Sequence, residues 1–272
     1  MKIACLQINP KEDIFKNKEF VFQKIKNVCD THHPDVVVLP EMFLFMGNSN
    51  QLIQYGQEIQ EGIFLECAKW SRQFQIYLVA GSLPEKISET DKKVKNTCVT
   101  YSPKGEMLSI YRKVHLFNLF LSNGEKKYCE SDTMISGDIP KPFQIKIGEK
   151  IWNALTIICY DLRFPEIIRN LKTEIDVLFV VAAFTYQTGK DHWEVLLRAR
   201  AIENQCYVVA CNQTGYFSGG EKRNYGHSMI IDPWGKVIVT TDEEVGVLFN
   251  NLDLHQIKET RDMLPALKDR RD

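Results

Sequence analysis

Three residues in this chain of 272 residues carry side chains suited to acyl transfer, and each lies in or at the end of a strand-like stretch. Glu41 comes directly after Pro40 in VVVLPEMFLF, Lys113 lies in SIYRKVHLF, and Cys159 ends the apolar run of NALTIICYDLRFPE. A carboxylate beside a thiol can take its proton, and the sulfur can then attack a carbonyl carbon. An ammonium can hold the oxyanion that forms, with the backbone N–H of Tyr160 as a second donor. Each residue also has a plainer meaning. Glu41 could cap a turn or pair with a surface base, Lys113 could be one more solvated strand lysine, and Cys159 could be core packing, since free cysteine is among the most buried residue types. The chemistry requires all three in one place.

The elements that would bring them there are strands. An unbroken apolar, β-branched stretch before Cys159 needs cover on both faces, which marks a buried strand. Ligands of α/β folds bind beyond the carboxyl ends of such strands. Residues 36–39 form a second strand, broken by Pro40, and an acid desolvated in such surroundings becomes a stronger base. Residues 109–117 alternate, so Tyr111, Lys113 and His115 share one strand face. Helical spacing appears between the strands, with Phe22, Ile25 and Cys29 at 18–33 and Val195, Leu196, Ala199 and Ile202 at 192–206.

The chain also says nearly the same thing twice. IYLVAGSLPE and NTCVTYSPKGEML in the first half echo CYVVACNQTG and GHSMIIDPWGKVI in the second. Tyr77 and Tyr207 are 130 positions apart, as are Pro103 and Pro233, and both copies carry a Pro-x-Gly turn suited to a hairpin. Asp35 and Asp176, in PDVVVLPE and IDVLFVVAA, are 141 apart, so that match carries an insertion. Two alternating β/α halves, each needing cover on both sheet faces, predict a four-layer α-β-β-α sandwich with an internal pseudo-twofold repeat. The polar stretch at about 124–150 joins the halves as a short linker, which favours a single domain over 1–272, with residues from about 255 as a C-terminal helix or arm.

Bulk properties narrow the class. Hydrophobic residues make up 44% and charged residues 25%, and a net charge of −1 gives a nucleic-acid partner no support. The eight cysteines are scattered with no zinc-type spacing, which favours a reducing compartment over disulfides. No apolar stretch reaches membrane-spanning length, and MKIACLQINP reads as a strand and not as a signal peptide. The expectation is a cytoplasmic protein with neither a nucleic-acid nor a membrane partner.

LPEMF around Glu41, YRKVHLF around Lys113 and CYDLRFPE around Cys159, in that order, resemble the nitrilase superfamily of carbon–nitrogen hydrolases. HWEVLLRARAIENQ and GHSMIIDPWGKV resemble it too, and the likeness runs from KIACLQINP to LPALKDRRD. It implies a Glu41–Lys113–Cys159 triad, no metal, no cofactor and a homodimer or larger even assembly. It also puts a second, auxiliary glutamate at Glu130, in CESD. CYDLRFPE together with AAFTYQTGKDHWE looks most like the omega-amidase and deaminated-glutathione amidase branches, where Arg163, Phe184 and Thr188 would contact a distal carboxylate of the substrate. On the residues alone, Arg163 could instead pair with Asp161 or Glu166, and Phe184 could be core. NLFLSNG at 118–124 departs from the family, which carries an acid after HLF, and leaves part of the substrate choice open. The function implied is a thiol-dependent amidase that acts on a small carboxylate-bearing amide and releases ammonia through a Cys159 thioester. Another amidase of the superfamily, an N-carbamoyl hydrolase or a nitrilase is the nearest alternative. A metal-dependent phosphodiesterase would use Glu41 as a magnesium ligand, but its Gly-Asp-x-Asn and Ser-Asp-His motifs are missing. A non-catalytic binding protein would not need the three residues together.

Overall fold

The computed structural model describes residues 1–47, 49–88, 92–120, 122, 125–220 and 222–271. Two mixed sheets stack face to face. In the first, strands Lys2–Gln7, Val36–Val38 and Tyr77–Val79 run parallel. Gly246–Asn251 flanks them antiparallel on one side, and Lys95–Tyr101 followed by Met107–Arg112 on the other. Leu83–Glu85 also pairs with Lys95–Tyr101. The second sheet repeats the plan. Lys150–Ile158, Val177–Ala182 and Tyr207–Asn212 run parallel, between Phe143–Ile147 and the hairpin Met229–Ile231/Val237–Thr240.

The repeat holds down to single hydrogen bonds. Ser102 N–H donates to the Glu106 carbonyl at 2.8 Å, and Asp232 N–H donates to that of Lys236 at 2.9 Å. Tyr77 N–H reaches the Asp35 carbonyl at 2.9 Å, and Tyr207 N–H reaches that of Asp176 at 3.0 Å. Both Pro-x-Gly turns close through a left-handed glycine, Gly105 at φ 79° and Gly235 at φ 88°, a conformation that a Cβ would strain.

Alternation sorts the side chains into layers. Ile3, Cys5, Val36, Val38 and Val79 face the second sheet across the shared core. Ala4, Leu6, Val37 and Leu78 point outward onto helices Ile14–His32 and Gly62–Phe74, where Val21, Ile25, Phe64, Cys67 and Trp70 cover them. On the far side, helix Tyr186–Asn204 lays Trp193, Leu197 and Ala201 on the second sheet. The molecule is therefore an α-β-β-α sandwich of the expected kind. A helix Leu254–Met263 follows the last strand, and no helix among the described residues is long and apolar enough to cross a membrane.

Three expectations need correction. The stripe Val195, Leu196, Ala199, Ile202 is not the buried face of its helix, since Val195 is 68% and Ile202 49% exposed. The buried stripe carries Arg200 and Asn204 beside Trp193 and Leu197, so its polar members hid it from the pattern. The strand expected at 109–117 stops at Arg112, and Lys113 lies just past its end. The stretch at 124–150 is no bare linker, because it holds strands Lys126–Cys129 and Phe143–Ile147 and the turn Glu130–Asp132. Of the 118–124 segment, residues 121, 123 and 124 lie outside the described residues.

Leu197 is fully buried where helix and sheet meet. Leu197→Ala should lower unfolding stability by about 2–5 kcal/mol, measured by urea denaturation. A loss below about 1 kcal/mol would mean that this helix contributes little to the sandwich.

Candidate active site

Glu41, Lys113 and Cys159 come from three different strand ends and meet between the sheets. Glu41 is 3% exposed, in the turn after Val36–Val38 and Pro40. Its Oε1 accepts from Lys113 Nζ at 2.9 Å and from Asn96 Nδ2 at 2.8 Å, and its Oε2 accepts from the Ala183 N–H at 2.9 Å. Gln213 holds the same turn from below, donating to the carbonyls of Glu41 at 2.6 Å and Met42 at 3.1 Å. Lys113 is 1% exposed. Its ammonium lies between two carboxylates, 2.9 Å from Glu41 Oε1 and 2.9 Å from Glu130 Oε2. Glu130 in turn accepts from the Phe117 N–H at 2.8 Å.

The charges set the protonation states. Burial alone works against the Lys113 charge, but the carboxylates of Glu130 and Glu41 outweigh it and lift the ammonium well above the usual lysine range. Burial raises Glu130, against the pull of Lys113. Cys159 is pushed well above the ordinary thiol range, first by burial and then by the Glu41 carboxylate, with Lys113 pulling the other way. At neutral pH the sulfur is a thiol that needs a base.

Cys159 opens the tight turn Cys159–Arg163 at φ 48°, a left-handed conformation that costs a non-glycine residue energy. Asp161 pins that turn. Fully buried, it accepts from the Tyr111 hydroxyl at 2.5 Å, from His115 N–H at 2.9 Å and from Ile158 N–H at 3.1 Å. His115 Nδ1 lies 2.8 Å from it and, facing a carboxylate, carries the proton. Asp161 thus ties the segment on both sides of Lys113 to the residues on both sides of Cys159.

A small pocket opens on the sulfur, lined by Phe117, Cys159, Tyr160, Arg163, Phe184 and Thr188 among others. Arg163 pairs with neither Asp161 nor Glu166 among the described residues. Its guanidinium lies 5.3 Å from the Phe184 ring and 5.7 Å from that of Tyr160, and its Nη1 is 3.3 Å from His192 Nδ1. Phe184 is both wall and core, 2% exposed and packed 5.0 Å from the Trp193 ring. Thr188 Oγ1 is 2.8 Å from Thr185 Oγ1. The expected residues are therefore gathered at one end of the sandwich, Tyr160 directly after the cysteine and Glu130 behind the lysine.

The carbon–nitrogen hydrolase family matches residues 2–262. The chain belongs to that family. It is 36% identical over 269 residues to a deaminated glutathione amidase of Synechocystis sp., spanning 98% of this chain and 97% of the relative. It is 35% identical over 279 residues to a 2-oxoglutaramate amidase of Bacillus subtilis, spanning 98% and 96%. Saccharomyces cerevisiae Nit3, a member of branch 10 of the nitrilase superfamily, superposes with a TM-score of 0.86 at 29% identity, over 100% of this chain and 97% of that one. This carbon–nitrogen hydrolase is thus an amidase that cleaves non-peptide C–N bonds. The phosphodiesterase alternative falls with the family match, and the Lys113 ammonium fills the space between the two glutamates that a divalent cation would need.

Sequence reasoning missed several residues that hold the hydrolase site together. Asn96, Gln213 and the Ala183 amide gave no signal, because a polar residue inside a strand looks the same whether it faces solvent or a buried carboxylate. Asp161 was visible only as a possible partner of Arg163. The shared parity of Tyr111, Lys113 and His115 was the one available hint of its true partners.

Because the Cys159 thiol sits well above its ordinary range, its alkylation by iodoacetamide should keep accelerating past about pH 8.5, where a free cysteine is half ionised. Peptide mass mapping of the modified residue would follow it. A rate that levels off near neutrality would mean a preformed thiolate and contradict the electrostatics described above.

Proposed function

We propose that this amidase acts through a thioester on Cys159 and takes a small amide with a carboxylate at its far end, such as the monoamide of a dicarboxylic or 2-oxo dicarboxylic acid. The observation that carries the reading is Arg163. It lines the same pocket as Cys159, flanked by aromatic rings, and has no carboxylate partner among the described residues. A planar guanidinium favours bidentate carboxylate binding, with Thr188 as a further donor and Phe184 as an apolar wall. Relatives named deaminated glutathione amidase and 2-oxoglutaramate amidase support this choice.

In the mechanism Glu41 takes the thiol proton as Cys159 attacks the amide carbon. Lys113 and the Tyr160 N–H hold the oxyanion, and Glu130 keeps the lysine charged and in place. Glu41 returns the proton to the leaving nitrogen, which departs as ammonia. Water then cleaves the thioester with Glu41 again as base. Fixing the far carboxylate holds the carbonyl against the sulfur, an orientation effect worth several kcal/mol of barrier.

One carbon–nitrogen hydrolase domain forms the chain, and eight free cysteines suit the reducing cytoplasm. Val195, Ile202 and Trp234 leave apolar surface exposed on and beside helix Tyr186–Asn204, a face suited to a second copy of the chain.

Ammonia release should favour succinamate and 2-oxoglutaramate over propionamide, N-carbamoyl amines and nitriles, and Cys159→Ala should abolish it. Arg163→Lys should raise KM sharply for the carboxylated amides and leave propionamide nearly unchanged. Equal loss on both substrate types, or a wild-type preference for propionamide or a nitrile, would sink the carboxylate clamp. Light scattering should give an even multiple of the 31.5 kDa chain mass. A monomer at micromolar concentration would contradict the proposed assembly.

A further inference from the structure

Asn96 touches both charged members of the triad. It lies in strand Lys95–Tyr101 and is 1% exposed. Its carbonyl accepts from the Lys113 N–H at 2.9 Å, and its Nδ2 donates to Glu41 Oε1 at 2.8 Å. Chemistry fixes the orientation of this amide, because a carboxylate only accepts, so the nitrogen must face it. The cost of that orientation is visible. Asn96 Oδ1 is buried with no hydrogen-bond partner among the described residues, a burden that a residue kept for packing alone would not carry.

The two oxygens of Glu41 are then unequal. Oε1 is held by Asn96 and by Lys113, whereas among the described residues Oε2 receives only the Ala183 N–H. That same N–H also acts on the Cys159 sulfur, and Glu41 and Cys159 act on one another, so we take Oε2 as the oxygen on the thiol side of the carboxylate. We propose that Asn96 is a positioning residue: together with Lys113 it fixes Glu41 Oε1, and so reserves Oε2 as the oxygen that receives the Cys159 proton. The inference rests on the triad mechanism above. In that step the S–H bond breaks and an Oε2–H bond forms as sulfur bonds to the amide carbon. The proton leaves Oε2 for the departing nitrogen when the C–N bond breaks. The charged and titratable groups acting on this corner are Lys113, Glu130, Cys159 and Tyr128.

Asn96→Ala and Asn96→Asp test the assignment, with kcat and KM for succinamate measured across pH and Cys159 alkylation by iodoacetamide measured alongside. Asn96→Ala should lower kcat by about 10–100-fold, the rate equivalent of one hydrogen bond to a charged group. KM should stay unchanged. The acid limb of the pH–rate profile should move to higher pH, because the ionised carboxylate has lost a donor. Asn96→Asp keeps the shape but sets a second anion against Oε1, so it should be the worse of the two and move the acid limb further. A packing role predicts the reverse order. An Asp variant more active than the Ala variant, with the acid limb unmoved, overturns the proposal. If the wild type does not turn over succinamate, the substrate reading fails and alkylation decides alone: equal pH profiles of Cys159 alkylation in all three proteins overturn the positioning role. Activity that survives Cys159→Ala would instead strike the thioester mechanism itself.

Discussion

A fully buried ammonium held between two carboxylates organises this molecule. An isolated charge in such a place would be neutralised or expelled, and removing one partner of a buried pair costs roughly 3–5 kcal/mol. Lys113, Glu41 and Glu130 therefore hold one another in place, and everything else at the centre of the sandwich must accommodate them. With the thiol protonated, the cluster carries one excess negative charge. Ionising Cys159 outright would make that two, in surroundings with little water to disperse it, which explains the upward push on the sulfur. Passing the proton from Cys159 to Glu41 only moves the negative charge from oxygen to sulfur. The cluster favours base-assisted attack over a resting thiolate, and the mechanism proposed above uses that route.

Placing three side chains to within a few tenths of an ångström needs rigid support, and the repeat supplies it. Under the 141-residue offset of the second strand pair, Glu41 corresponds to Ala182, beside the residue whose N–H donates to Glu41 Oε2. The two equivalent strand ends meet across the pseudo-twofold axis, one contributing a carboxylate and the other a backbone donor. The halves share a scaffold but divide the chemistry. Two left-handed non-glycine residues sit at the same place: Met42 at φ 48° follows the glutamate, and Cys159 at φ 48° is the nucleophile candidate itself. Such conformations persist only where the surroundings over-determine them. Here Ser82 Oγ accepts the Met42 N–H at 3.1 Å, Gln213 grips the carbonyls of Glu41 and Met42, and Asp161 ties down the cysteine turn.

Much of this was legible in the chain because it obeyed simple periods. The apolar runs ending at Val38 and Ile158 are strands buried on both faces, and the offset echoes are two copies of one sheet plan. What escaped were places where polar residues do interior work. The inner face of helix Tyr186–Asn204 includes Arg200, whose guanidinium donates to the Leu162 carbonyl at 2.7 Å, and Asn204. An amphipathic reading therefore chose the wrong side. Lys113 fell outside its strand because alternation continued to residue 117 after the pairing had stopped at Arg112. Asn96 and Gln213 left no trace, since their value depends on a carboxylate 55 residues away in one case and a carbonyl 172 residues away in the other.

The inner face of helix Tyr186–Asn204 also reaches the site. Arg200 reaches the Leu162 carbonyl inside the cysteine turn, and His192 on the same helix approaches Arg163. Trp193, between them, donates from its indole to the His227 carbonyl at 2.8 Å. One rigid helix thus contacts the turn that carries Cys159, the guanidinium that faces the pocket, and the sheet beneath. Its opposite face is the one that leaves Val195 and Ile202 exposed. Burying that face against a second copy would stiffen the helix from outside, and the stiffness would pass through Arg200 and His192 to the cysteine turn and the proposed carboxylate clamp. In the proposed dimer, assembly and site geometry meet on a single element. Such a dimer would give an amidase a physical reason to leave apolar surface uncovered in each chain: the neighbour's surface would complete the support that a helix packed on one side alone lacks.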